Sequence, residues 1–196
     1  MDVLTYATGA LGTNTYLVID GTDALVIDPG GDSPAMWNVI HSRALTVRTV
    51  LLTHTHFDHF MGLPALLEAT HAELIVPAAD EAGLRDGIAN LLDVWNMGTL
   101  PPLYADRTVV EGSTVTLGNI TFTTWHTPGH TPGSCCYLAG DTLFSGDTVF
   151  AGGGYGRTDL PGGDELTMQR TLARLETALP RPVTVYPGHG PSFIWR

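Results

Sequence analysis

A chain of 196 residues, 43% of them hydrophobic, has the size and composition of one compact catalytic domain whose core needs no disulfide staple. Twenty acidic residues face nine cations, all arginine, and the formal net charge of -11 disfavours a nucleic-acid partner. No apolar stretch approaches the ~20 residues of a membrane span, and the amino-terminal segment has no signal-peptide pattern, so the expectation is a cytoplasmic protein that binds no membrane and acts on a small molecule.

Residues 14–20 alternate in polarity and read as a strand, Gly21-Thr22-Asp23 as a turn, and 24–28 as the second strand of a hairpin. Pro29-Gly30-Gly31 ends it. Ser33 is placed to cap a helix with Pro34 at its first position, running to about Arg43. Residues 47–52 form a buried strand that delivers His54-Thr55-His56-Phe57-Asp58-His59. Residues 63–70 read as a short helix and 74–76 as a strand, while 80–96 are mixed and partly helical, ended by Pro101-Pro102. A second run of strands is expected at Val109, 115–117, 120–125, 135–138 and 143–144. Asp164 caps a helix to about Ala178, with Leu166, Leu172, Leu175 and Leu179 near helical spacing, and 183–186 is a final strand. Two successive sets of strands and helices fit an α/β (α+β) class protein, a four-layer αββα sandwich, as a single domain over 1–196.

The six-residue stretch from His54 to His59 carries three imidazoles and a carboxylate, the usual ligands of zinc and similar divalent ions. On a helix, at about 100° per residue, His54 and His56 would diverge. On a loop leaving a strand they converge on one ion while Asp58 and His59 face a second. The alternative, a polar surface loop rich in histidine, places three of the chain's eight histidines together for no reason and leaves them to repel one another when protonated. His130, Asp147 and His189 complete the set. Each lies just past an expected strand in a glycine- or proline-rich turn, where loops on a rigid scaffold carry functional side chains. His41 and His71 read as surface residues, and His126 as a loop histidine near the site but not a ligand.

Two cysteines, Cys135 and Cys136, are adjacent. Neighbours on a strand face opposite ways, so a bridge between them would be strained, and both read as small buried hydrophobes.

The pattern His-x-His-x-Asp-His, followed by a distant His, an Asp and a final His, resembles that of the metallo-β-lactamase-fold hydrolases, with all seven positions filled in order. The resemblance implies that His54, His56 and His130 hold one metal ion, that Asp58, His59 and His189 hold a second, and that Asp147 bridges both. It implies two divalent ions, zinc first, with iron or manganese also compatible. Asp58 would then also be catalytic, orienting a metal-bridging hydroxide that attacks a carbonyl carbon. Asp28, at the end of its strand, either fixes a ligand imidazole or caps the turn that follows.

The glycine-rich segment 152–164, with Val185-Tyr186-Pro187-Gly188-His189-Gly190-Pro191, resembles the short, single-domain glyoxalase II-like proteins. That resemblance implies hydrolysis of small acyl thioesters such as hydroxyacylglutathione. Residues 192–196 depart from the tail usual in those proteins and no helical glutathione-binding domain is expected, so the expectation is loose dependence on the glutathione moiety. Gly156-Arg157-Thr158-Asp159 also resembles iron-dependent persulfide dioxygenases, and a lactonase is compatible with the same ligands. Substrate contact falls to Arg157 and Tyr155. Arg157 either holds a substrate carboxylate or pairs with Asp159, and Tyr155 either touches substrate or packs over the loop.

Overall fold

Strand alternation decides which side chains meet. In the computed structural model, which describes residues 1–196, β1 (Asp2–Thr8), β2 (Thr13–Asp20), β3 (Asp23–Ile27), β4 (Thr46–Leu51), β5 (Glu73–Pro77) and β6 (Arg107–Val109) form one six-stranded sheet in chain order. The first three are antiparallel neighbours, and β3 through β6 run parallel. Helices α1 (Pro34–Ser42) and α2 (Leu63–Thr70) supply the crossovers that parallel pairing requires. A short α3 (Leu92–Trp95) follows β5.

The second sheet orders as β12-β11-β10-β9-β8-β7, from β7 (Thr114–Leu117), β8 (Ile120–His126), β9 (Cys135–Ala139), β10 (Thr142–Gly146), β11 (Val183–Pro187) and β12 (Phe193–Trp195). Only β10 and β11 pair in parallel, joined through α4 (Glu165–Ala178). Ser33 accepts from Met36 N to cap α1, with Pro34 opening the helix, and Asp164 accepts from Thr167 N to cap α4.

One residue set faces inward from each sheet. Tyr16, Leu25, Ile27, Leu51 and Ile75 meet Phe122, Cys135, Tyr137 and Phe144 between the sheets. The alternate positions Leu17, Val26, Val50 and Leu74 face Met36, Ile40, Leu63 and Leu66 of the outer helices. On the far side, Cys136, Leu143 and Val185 pack under Leu172 and Leu179. The result is the expected four-layer αββα sandwich. Cys135 and Cys136 are free thiols buried on opposite faces of β9.

Two strands have no counterpart in the sequence reading. β1 is an edge strand whose side chains are mostly exposed or half-buried, so it has no apolar run to announce it. β12 is three residues long and follows Gly190-Pro191. The mixed segment 80–96 resolves into a 3₁₀ stretch, Ala78–Leu84, and α3. No helix is long and apolar enough to cross a membrane.

Candidate metal centre

Five strands end at one edge of the sandwich and deliver the polar residues there. β3 leads into Asp28, β4 into the histidine motif, β8 into the loop of His130, β10 into Asp147 and β11 into His189. Phe57–His59 forms a single 3₁₀ turn, which brings Asp58 and His59 beside His189 while the His59 ring still lies 4.1 Å, centroid to centroid, from that of His54. All seven expected ligands meet at this edge, and all except the partly exposed His189 are buried or nearly so.

The donor atoms fall into overlapping groups. Those of His54, His56 and His130 lie within 4.8 Å of one another, as do those of Asp58, His59 and His189, and those of His54, His59 and Asp147. Asp147 stands between the two histidine groups. Its Oδ1 lies 3.4 Å from His59 Nε2, and its Oδ2 lies 3.5 Å from His130 Nε2 and 3.7 Å from His189 Nε2. Asp58 Oδ2 lies 3.3 Å from His189 Nε2. Glycine makes this proximity possible: a Cβ on Gly188 would collide with Asp147 Oδ1 and stand 2.7 Å from His59 Cε1.

The outward faces of the ligands are tied down. Asp28 accepts from Thr53 N at 2.8 Å and Thr53 Oγ1 at 2.7 Å, and His59 Nδ1 lies 3.0 Å from the same carboxylate. His54 Nδ1 is 3.1 Å from Thr53 Oγ1. His130 Nδ1 donates to the Arg157 carbonyl at 2.7 Å. Each contact is satisfied by an Nδ1–H, which turns Nε2 of that ring away from its partner, and His130 Nε2 faces His56 Nδ1 at 2.8 Å. Asp28 therefore sits where it fixes two ligand rings, one directly and one through Thr53.

Electrostatics separate the histidines. Burial and the neighbouring imidazoles hold His54 well below the usual histidine range and push His56 down to about 3, so both present neutral rings. Burial also opposes a charge on His59, but Asp58, Asp147 and Asp28 outweigh it and raise its pKa. For Asp147 burial disfavours the anion, yet His59, His130 and His189 prevail and keep it ionised.

Nε2 of His54, His56 and His59, together with Asp147 Oδ1, are buried without any hydrogen-bond partner. Buried polar atoms without partners are costly unless something binds them. Imidazole and carboxylate donors without thiolate suit divalent zinc, iron or manganese. The residues present fit a pair of divalent ions.

A cleft of about 220 Å³ opens over this edge. Arg157 lines it, but its guanidinium is held by Asp159 through two 2.7 Å hydrogen bonds. Tyr155 donates to Glu165 at 2.9 Å and accepts from Gln169, which turns its hydroxyl toward α4. His126 Nε2 bonds the Pro132 carbonyl, apart from the ligand set. His41 is exposed on α1, and His71 caps α2 in the left-handed conformation.

Two supporting residues escaped the sequence reading. Thr13 donates to Asp58 Oδ2 at 2.8 Å. Asp80 is buried between two ligand loops, accepting from Thr55 N at 3.3 Å, Thr131 Oγ1 at 2.7 Å and Gly133 N at 2.6 Å. Neither sits in a motif, and each acts on a residue far away in the chain.

Known proteins resemble this chain along most of its length. The model of the metallo-beta-lactamase superfamily matches residues 8–189. The probable metallo-hydrolase YqgX of Bacillus subtilis is 32% identical over 186 residues, covering 94% of this chain and 88% of that protein. A hydroxyacylglutathione hydrolase of Tolumonas auensis is 33% identical over 174 residues, covering 89% of this chain but 60% of its own length. Among solved structures, the BLEG-1 B3 metallo-beta-lactamase superposes with a TM-score of 0.89 at 32% identity, covering 98% of this chain and 94% of that one. TTHA1623 in a di-iron-bound form gives 0.84 at 33%, covering 97% and 94%. ETHE1 from Myxococcus xanthus gives 0.78 at 29%, covering 99% and 80%. With its family model matched over residues 8–189 and a relative above 30% identity along most of both chains, this chain belongs to the metallo-beta-lactamase superfamily.

Proposed function

We propose that the protein is a dinuclear metal-dependent hydrolase of small acyl thioesters. The observation that carries the reading is the pair of three-residue donor groups with Asp147 between them, lying under an open cleft. His54, His56 and His130 would hold one ion, Asp58, His59 and His189 the other, and Asp147 both. Zinc is the first choice for this donor set, with iron or manganese also suited. When bound, such ions supply Lewis acidity and a water that ionises near neutral pH.

The chain's own residues do the rest. No serine, threonine or cysteine lines the cleft, which favours water over a side-chain hydroxyl or thiol as the nucleophile. Asp58 lines the cleft with one oxygen held by Thr13, and so would orient the attacking water as a hydrogen-bond acceptor. In the reaction a C–O bond forms from water, the C–S bond breaks, and the thiolate leaves to take up the proton. The small cleft and the net charge of -11 both favour a small molecule over nucleic acid. The similarity to a hydroxyacylglutathione hydrolase supports the thioester class.

A second reading, iron-dependent oxidation of a persulfide, draws on the likeness to ETHE1 from Myxococcus xanthus, a persulfide dioxygenase, and on the Gly156–Asp159 segment. Metal analysis of the purified protein, followed by assays of thioesters, lactones, β-lactams and glutathione persulfide with and without oxygen, decides between them. Thioester turnover unaffected by removing oxygen is expected. Oxygen consumption with persulfide, and no thioester turnover, would overturn the hydrolase reading.

A further inference from the structure

We propose that the cleft wall is a binding surface for an uncharged, apolar acyl group, with Trp95 and Leu160 setting the preference. This rests on the thioester hydrolase reading and names the substrate class within it. Six apolar side chains from separate parts of the chain converge over the donor atoms: Leu11, Phe57, Leu91, Trp95, Phe150 and Leu160. The remaining lining is five of the expected ligands, His56, Asp58, His130, Asp147 and His189, with Gly156 and Arg157. Leu11 and Trp95 are 44% and 39% exposed, a costly placement for large apolar groups unless something covers them.

The wall is built rather than incidental. The ring of Trp95 stands edge-on to Phe57, with centroids 5.8 Å apart, and Phe57 immediately precedes Asp58. Leu91, at the start of α3, has φ +70°, a conformation that a bulky residue adopts only when its surroundings hold it there. Its side chain is thereby buried with Phe57 and Leu92, and Leu160 packs against the same cluster.

Charge points the same way. Arg157 is the one arginine lining the cleft, and Asp159 occupies its guanidinium on two edges. An acyl group ending in a carboxylate would lose its hydration against this wall, where the only guanidinium is already paired. A methyl at the same place gains by leaving water. The volume, about 220 Å³, is below the roughly 300–1,000 Å³ of pockets for drug-sized ligands, which suits a short acyl chain.

Butyryl and succinyl thioesters of N-acetylcysteamine test this, because the two acyl groups have the same length and differ in ending with a methyl or a carboxylate. Wild-type protein is expected to prefer butyryl in kcat/KM by about tenfold or more, the scale at which a pocket rejects a mismatched group. Trp95→Ala and Leu160→Ala should shrink that preference, chiefly through KM. Asp159→Asn, which releases Arg157, should raise succinyl turnover. Equal or better succinyl turnover by wild type would overturn the inference, as would an unchanged preference in both alanine variants at native melting temperature. If no thioester is hydrolysed, the hydrolase reading itself fails. The wall is then tested by binding of the non-hydrolysable 2-oxopentyl thioether against its carboxylate-ended counterpart, read from tryptophan fluorescence with Trp95→Phe as control. Quenching by the apolar analogue that disappears in Trp95→Phe supports the wall, and equal or stronger quenching by the carboxylate analogue overturns it.

Discussion

Asp28 Oδ2 lies 3.0 Å from His59 Nδ1 while also accepting from Thr53 Oγ1, whose own oxygen faces His54 Nδ1 at 3.1 Å. One buried carboxylate thus sets the ring orientation of a residue in each donor group. Asp28 itself is held at φ +50°, a backbone conformation that aspartate tolerates better than most residues. Asp28→Ala should weaken binding of both ions by about 10–100-fold, the usual effect of losing an outer partner of a metal ligand. Competition titration with a chromophoric chelator measures it. Unchanged affinity for both ions would remove Asp28 from this role.

Asp80 ties the histidine-motif loop, through Thr55, to the His130 loop, through Thr131 and Gly133. Asp80→Ala strands these buried donors, at about 1–3 kcal/mol for each one left unpaired. A net loss of about 3 kcal/mol would lower the melting temperature of a chain this size by about 6–12 °C. Metal affinity should fall with it, since the two loops lose their common anchor. Calorimetry of metal-free and metal-loaded protein separates the two effects.

The contrast between Asp80 and the ligands explains what the sequence could reveal. Metal donors are rare residue types that must crowd together, and four of the seven sit within six positions after an apolar strand. The other three each follow a strand in a glycine-rich turn. Asp80 is an ordinary residue at the start of a 3₁₀ stretch, and its partners are 25 and 51 residues away. Its role exists only once β5 has laid it between two loops. The pairing of Arg157 with Asp159 was legible because it spans two residues, whereas the apolar wall over the site was not, since its members come from separate loops. The inner strands could be read from their apolar content, but edge strand β1 could not, because solvent rather than the core faces much of it.

Ala44 lies just past the end of α1 with φ +49°, exposed to solvent. The left-handed conformation costs an L-residue roughly 1–2 kcal/mol, and glycine is the usual occupant at such a helix end. Part of that gain is returned as unfolded-state entropy. Ala44→Gly should therefore stabilise the fold by about 0.5–1 kcal/mol, visible as a rise of about 1–4 °C in melting temperature with activity unchanged. A fall in melting temperature would show that the strain is not relieved at this position.

Asp147 offers the sharpest test of the two-metal reading. Its oxygens face His59 on one side and His130 and His189 on the other, so one carboxylate serves both donor groups. Neutralising two dications with a shared anion is worth most in a buried site, where water screens little. Asp147→Ala should therefore lower occupancy of both ions, not one, when metal content is measured by elemental analysis after dialysis. Turnover should drop by well over tenfold, a barrier increase above ~1.4 kcal/mol. The fold should persist, because the carboxylate lies at the sandwich edge and not between its layers, so the far-ultraviolet dichroism of the variant should match that of the parent. Loss of a single ion with the other retained at full occupancy would assign Asp147 to one metal alone. Activity within tenfold of the parent would remove it from the reaction.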